Sequence, residues 1–381
     1  MLRRFIDNSG LLLAGAGAAL LWANLAHDSY ERFVHALHFV VNDVAMAFFF
    51  ALATKEVVEA TAPGGALYSP RRASVPMLAA VGGMAGPAGI YIALALAWGL
   101  PELLRGWAIP CATDIAFSYL IARLILGTTH PAIPFLLLLA IADDALGLLI
   151  LAAFYPTGTI RPLEFGLLLA VAMGFAYWLK RGRTRNFWPY IAGAGLVSWV
   201  AFYRGGLHPA LALVPIVPFL PHAKRDPGLF VEAPHLLHDP LNEFEHWWKL
   251  PVQAILFFFG LVNAGVAVTS VGPGTWIVLA AILLGKPLGI MLSTAICVRA
   301  GLHKPAGVTW GDLIIVGIVA GIGFTVALFF ATAAFPPGDV LDQTKMGALL
   351  SFSASLLALI AEYIRSAARP QLQRPRRPRH R

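Results

Sequence analysis

The stretch Ile133-Pro-Phe-Leu-Leu-Leu-Leu-Ala-Ile-Ala-Asp-Asp-Ala-Leu-Gly-Leu-Leu-Ile-Leu-Ala-Ala-Phe154 decides how the rest of the chain is read. Apart from two adjacent aspartates it is apolar. It reaches the roughly 17–25 residues that an α-helix rising about 1.5 Å per residue needs to cross a bilayer. A soluble core does not require such a run, and a membrane helix tolerates the two carboxyls only for a reason, since an ionised group at bilayer depth costs at least about 2.5 kcal/mol. The competing reading, two helices wrongly fused with Asp143 and Asp144 capping a terminus, conflicts with the long apolar flanks on both sides.

Working outward, comparable runs such as Leu11–Ala26 and Ala45–Ala53 recur along nearly the whole chain, separated by short polar stretches. The pattern predicts an all-α polytopic membrane protein with about twelve transmembrane helices. The expected segments are 11–27, 39–62, 75–100, 108–127, 133–155, 161–180, 187–203, 207–222, 247–269, 273–298, 311–335 and 342–365. Arg3 and Arg4 before the first run resemble a signal-peptide start, but the many later spans favour a retained first helix. One transmembrane domain is expected over 1–368, followed by a basic Pro/Arg-rich tail, 369–381, too polar to pack and suited to anionic lipid.

The formal net charge of +8 does not point to nucleic acid, because the bases fall in alternate loops. Arg3, Arg4, Arg71, Arg72, the run Lys180, Arg181, Arg183 and Arg185, then Lys224, Arg225, Arg299, Lys304 and the tail arginines share one side. The opposite loops carry only Arg32, Arg105, Arg161, Arg204 and Lys345. The positive-inside rule then places both termini in the cytoplasm of a bacterial inner-membrane protein. Cys111 and Cys297 lie in apolar segments and read as reduced packing residues.

Among the few charges in the apolar segments, four stand out as deeply placed: Asp114, Asp143, Asp144 and Lys286. Neighbours on a helix point about 100° apart, so Asp143 and Asp144 cannot project alike. That suits a site in which one carboxylate holds a cation while the other holds a partner charge, with Lys286 the candidate. Desolvation and a neighbouring like charge both favour the neutral form of a carboxyl. A hard cation such as sodium prefers anionic and carbonyl oxygens, so proton and cation would compete for one site, and competition at one site gives exchange. Lys286 also has a plainer reading, as a counter-ion that makes a buried aspartate tolerable. Helix breakers mark where ions meet backbone oxygens: Pro110 before Thr113 and Asp114, and Gly317, Gly321 and Gly323 before Thr325. The glycines alone would also suit close helix packing.

On Ala112-Thr-Asp-Ile-Ala-Phe117, Asp143-Asp144, Asn263-Ala-Gly-Val266, Gly285-Lys-Pro-Leu-Gly-Ile290 and Gly321-Ile-Gly-Phe-Thr325, in this order, the chain resembles the NhaA-type sodium/proton antiporters over nearly its full length. Asn42-Asp43 and Gly82-Gly83-Met84 add to the match. The resemblance implies inverted repeats, interrupted fourth and eleventh helices crossing mid-membrane, and electrogenic exchange of more protons than sodium or lithium ions. It implies that Asp143 and Asp144 carry Na+ and H+, that Lys286 partners Asp143, and that Thr113 and Asp114 sit at the crossing, Asp114 balancing positive helix N-termini. No cofactor is expected beyond the transported ions. The candidates for pH sensing are Glu56, His208, Glu245 and His246. The cluster at the cytoplasmic end of the second helix is thinned here, since Val57 and Val58 stand where the family carries charges. A homodimer is an expectation of the resemblance, although the short loop from His27 to His38 leaves little room for a subunit-pairing hairpin.

Two other functions compete with exchange. His35-x-x-His38 and His235-x-x-His238 suggest a membrane metalloenzyme, but the topology puts them on opposite faces. A sodium-coupled solute symporter on a related fold would use similar cation ligands with a larger cavity. A lysine and paired aspartates fit proton exchange better than the neutral ligands usual in symport.

Overall fold

The computed structural model describes residues 10–221 and 239–368. Arg3, Arg4, Lys224, Arg225, His235, His238 and the tail 369–381 lie outside the described residues. Among those described the fold is helical with no strand. Six helices are long and apolar enough to cross a membrane, or eight if each of two bent pairs is one span. The sequence reading of about twelve is thus matched in position more widely than in span length.

The chain begins with α1 (Gly10–Leu25), then α2 (His27–Phe39), which runs through a π turn at Val40–Ala45 into α3 (Met46–Thr61). The expected external loop from His27 to His38 is therefore a helix. Tyr30, Phe33, Val34 and Leu37 recur at helical spacing and pack on the core, which fixes α2 against α9 (Pro240–Asn263) as amphipathic helices do. Next come α4 (Pro70–Ala97), α5 (Ile115–Leu126), α6 (Ala132–Phe154), α7 (Pro162–Arg181) and α8 (Leu196–Gly205), the last preceded by a π turn at Pro189–Gly195. The remaining elements are α9 (Pro240–Asn263), α10 (Pro273–Ala280), a π turn at Ala281–Gly285, α11 (Lys286–Arg299), α12 (Trp310–Ala320), α13 (Phe324–Ala334), α14 (Asp339–Leu350) and α15 (Ser353–Ala368).

Two expectations are corrected. The eighth segment, 207–222, is a chain of turns and short 3-10 pieces, Pro209–Leu211 and Val217–Phe219. Pro209, Pro215, Pro218 and Pro221 remove four donors and disfavour the α-region before each of them, so i→i+3 bonds replace the α ladder. Lys345, read as a loop base, lies on α14 and is only 8% exposed.

The helices sort into two groups by packing. One holds α4, α5, α6, α10–α11, α12–α13 and α14–α15. The other holds α1, α2–α3, α7, α8, α9 and the proline-rich turns. In the first group the closest approach is between α4 and α11. A Cβ on Gly289 would lie 2.0 Å from the Gly82 carbonyl, and one on Gly86 would lie 2.3 Å from the Gly285 carbonyl. Small residues four apart on both helices let the backbones touch, as membrane packing favours where there is no hydrophobic drive between helices. The groups meet where α3 packs on α6 and α9 on α13. There Phe329 touches Phe50, Phe259 and the His208 ring.

Candidate functional site

The site forms where two spans break. A 3-10 piece at Ile109–Cys111 gives way to extended residues 112–114 before α5, and Gly321–Gly323 separates α12 from α13. The axes bend by 57° and 49° at these breaks. Asp114 N–H donates to the Ile322 carbonyl at 2.7 Å, tying the two unwound stretches together, and Ser118 Oγ of α5 donates to the Val319 carbonyl of α12 at 3.0 Å. Gly323 serves this approach: its φ of −102° needs no glycine, but a Cβ there would lie 2.8 Å from the Ala112 carbonyl. Pro110 sits in the 3-10 piece, and Gly321 ends α12.

Every broken helix leaves unpaired carbonyls at one end and N–H groups at the other. The carbonyl ends here face cationic and hydroxyl donors. Lys286 Nζ donates to the Cys111 carbonyl, and Thr113 Oγ1 lies 2.8 Å from the Ala320 carbonyl. The N–H ends face an anion. Asp114 Oδ1 accepts from Phe117 N at 3.3 Å at the start of α5, while Oδ2 accepts from the Thr325 hydroxyl and, at 3.4 Å, its N–H at the start of α13. One carboxylate thus caps two helices, with the charge sign that the dipoles favour.

Lys286 follows the π turn of its span and is fully buried. Its ammonium also donates to Asp143 Oδ2 at 2.7 Å, and Thr113 Oγ1 reaches the same oxygen at 2.8 Å. Asp143 Oδ1 is buried with no hydrogen-bond partner among the described residues. Asp144, one residue on, is half-buried and among the described residues makes no hydrogen bond or ion pair. Both aspartates line a small cavity between the helix groups, walled by Phe49 and Phe50 of α3, Met84 of α4, and Phe329 and Phe330 of α13. Asp143, Lys286 and Thr113 are therefore one contact cluster, Asp114 and Thr325 an adjoining one, and Asp144 borders the cavity.

The candidates for pH sensing separate. Glu245 meets Lys55 at 2.7 Å and Glu56 lies 4.0 Å from the same ammonium, which also holds Glu59. His246 is exposed on α9 and outside this cluster. His208 lies elsewhere, buried against Phe329 and 3.9 Å from Asp43. Sequence reasoning passed over Lys55, the centre of the first group. Lys55 and Glu59 stand four apart on a helix, and that spacing was the available signal. No group of three His, Cys, Asp or Glu among the described residues could hold a metal ion, and His35 and His38 lie exposed on α2.

A family model described as Na+/H+ antiporter 1 matches residues 1–364. The chain belongs to this antiporter family. It is 46% identical over 397 residues to the Na(+)/H(+) antiporter NhaA of Jannaschia sp., covering 92% of this chain and 94% of that protein. It is also 46% identical to the Na(+)/H(+) antiporter NhaA 1 of Pelobacter propionicus, covering 97% and 98%. The Na(+)/H(+) antiporter NhaA of Geobacter sulfurreducens gives 46% identity over 92% and 94%. Among solved structures, the sodium proton antiporter MjNhaP1 of Methanocaldococcus jannaschii superposes with a TM-score of 0.55 at 14% identity, covering 94% of this chain and 90% of that one. At that identity the likeness concerns the fold. Membership of the antiporter family, with its apolar helices, makes the chain a multi-pass membrane transporter and does not favour solute symport.

Proposed function

We propose that the chain exchanges sodium or lithium ions for protons across a bacterial inner membrane, electrogenically, with Asp143 and Asp144 as the shared carrier. The observation that carries this reading is Asp143 Oδ1, buried and unpartnered on the cavity that Asp144 also borders. Two anionic oxygen donors beside a cavity suit a hard cation, and each is equally a proton acceptor. A bound cation draws on Asp143 and weakens its hold on Lys286. A proton on either carboxyl removes the charge that the cation needs. Occupancy by one therefore excludes the other. The two helix groups, meeting at the aromatic contacts of Phe329, rock to expose the site to one side at a time, and the loop charges put both termini in the cytoplasm. More than one titrating group per cation makes each cycle move net charge. Relatives named as Na(+)/H(+) antiporters support the pair of ions.

The test uses purified protein in liposomes with a trapped pH dye, adding sodium, lithium or potassium outside. A sodium-driven pH change that disappears in Asp143→Asn/Asp144→Asn is expected. No change in the wild type between about pH 6 and 9 would overturn the exchange reading.

A further inference from the structure

We propose that Asp312 is a positioning residue for the ion site, its buried carboxylate shared between Arg365 of α15 and His130 before α6 so as to fix α12 where it meets Thr113 and Lys286. The inference rests on the Asp143 cluster being that site. Asp312 is only 1% exposed although charged. It closes a capping box at the start of α12, Oδ2 accepting from Thr309 N–H and Oγ1 at 2.7 Å each, while its own N–H donates to Thr309 Oγ1 at 3.2 Å. The other oxygen faces outward from α12. It accepts from Arg365 Nη1 and lies 3.7 Å from His130 Nε2. Arg365 in turn holds Glu362 at 2.6 Å. Lys304 donates to the Val308 carbonyl, and Arg123 of α5 lies over the Tyr119 ring.

The far end of α12 is where the site begins. Its Ala320 carbonyl is one of the two oxygens within reach of the Thr113 hydroxyl, the other being Asp143 Oδ2. Midway, a Cβ on Gly317 would lie 2.6 Å from the Pro287 Cα, next to Lys286. A hydroxyl has one proton, so a small shift of α12 decides whether Thr113 donates to the carboxylate or to the carbonyl. The same shift presses on the backbone that carries Lys286. Both partners of Asp143 thus depend on where α12 is held, and Asp312 holds it from the end remote from the ions.

His130 joins the hold to the helix that carries the site. Its Nδ1 accepts from Ala132 N at 3.2 Å, at the start of the helix that bears Asp143 and Asp144. Taking a proton at Nδ1 breaks that cap and adds a full charge opposite Asp312.

The experiment compares wild type with Asp312→Asn, Asp312→Glu, His130→Gln and His130→Lys between pH 5.5 and 8.5. It reads sodium-driven proton movement in liposomes and, separately, the sodium-dependent shift of Tm, which reports occupancy without transport. Asp312→Asn should raise the sodium concentration for half-effect by about threefold to tenfold, the range of coupling through a packed element, and Asp312→Glu should recover part of it. His130 is 25% exposed by side chain, so its variants fold even if Asp312→Asn does not. His130→Lys, which places a full charge opposite Asp312, and His130→Gln, which places none, should differ in the sodium concentration for half-effect. Superimposable curves for both His130 variants and wild type, or an unchanged half-effect in folded Asp312→Asn, would overturn the inference. Failure of the exchange reading looks different: wild type then moves no protons, and the Tm series alone judges Asp312.

Discussion

Asp143 and Asp144 differ by one position, and the roughly 100° between neighbouring helical side chains gives them unlike surroundings. Asp143 is held by Lys286 and Thr113, whereas Asp144 borders the cavity with no partner among the described residues. Asp144→Asn is therefore expected to abolish exchange while changing stability by no more than about 0.5 kcal/mol, as for a substitution that breaks no contact; thermal unfolding in detergent beside the liposome assay checks both. Lys286→Ala is expected to cost about 3–5 kcal/mol, because removing one partner of a buried pair strands the other. Lys286→Ala/Asp143→Ala should recover much of the lost Tm. Normal exchange by Asp144→Asn would remove the proposed carrier. Asp114, Asp143, Asp144 and Lys286 were legible in the sequence because so few charges interrupt the apolar runs. Lys55 was not, since it lies near a helix end where a lysine is ordinary, and only folding brings Glu245 of α9 to it.

Lys55 also sets a prediction at the scale of elements, as it joins α3 to α9. With Lys55→Gln, Glu56, Glu59 and Glu245 face one another without the shared cation. The like charges repel only when ionised, so the loss of Tm should grow as pH rises through the carboxylate range and shrink at acid pH. A loss independent of pH would show that packing of the lysine stem, not charge, joins these helices. The α4–α11 contact makes a second case. Gly289→Ala places a methyl 2.0 Å from a backbone carbonyl that cannot turn away, so loss of the folded state is expected. Gly89→Ala, on the open side of α4, should be neutral or stabilising by up to about 1 kcal/mol. Expression and Tm of the two variants provide the comparison.

At the scale of the whole molecule, Phe329 fills the seam between the two helix groups with Phe50, Phe259 and His208 around it. Phe329→Ala is expected to cost about 3–5 kcal/mol, the usual range for a buried phenylalanine. It should also let protons leak past the site without sodium, measured as dye equilibration in sodium-free liposomes. A tight, fully coupled variant would place the seal elsewhere.

The sequence by itself determined the all-helical membrane fold, the two broken spans and the charged residues of the site. Length, hydropathy and the cost of buried charge are properties of each segment taken alone, and Pro110 and the Gly321–Gly323 stretch break their helices locally. An apolar run with four prolines does not form the helix its hydropathy suggests at 207–222, and the polar stretch 27–38 forms one through its helical period. Only the tertiary structure decided that Asp114 caps two helices at once, that Lys286 satisfies a carbonyl as well as Asp143, and that Asp312 is shared by α12, α15 and the turn before α6. Each of these joins residues far apart in the chain, and which donor meets which acceptor is fixed by how whole helices pack, not by the character of any one of them.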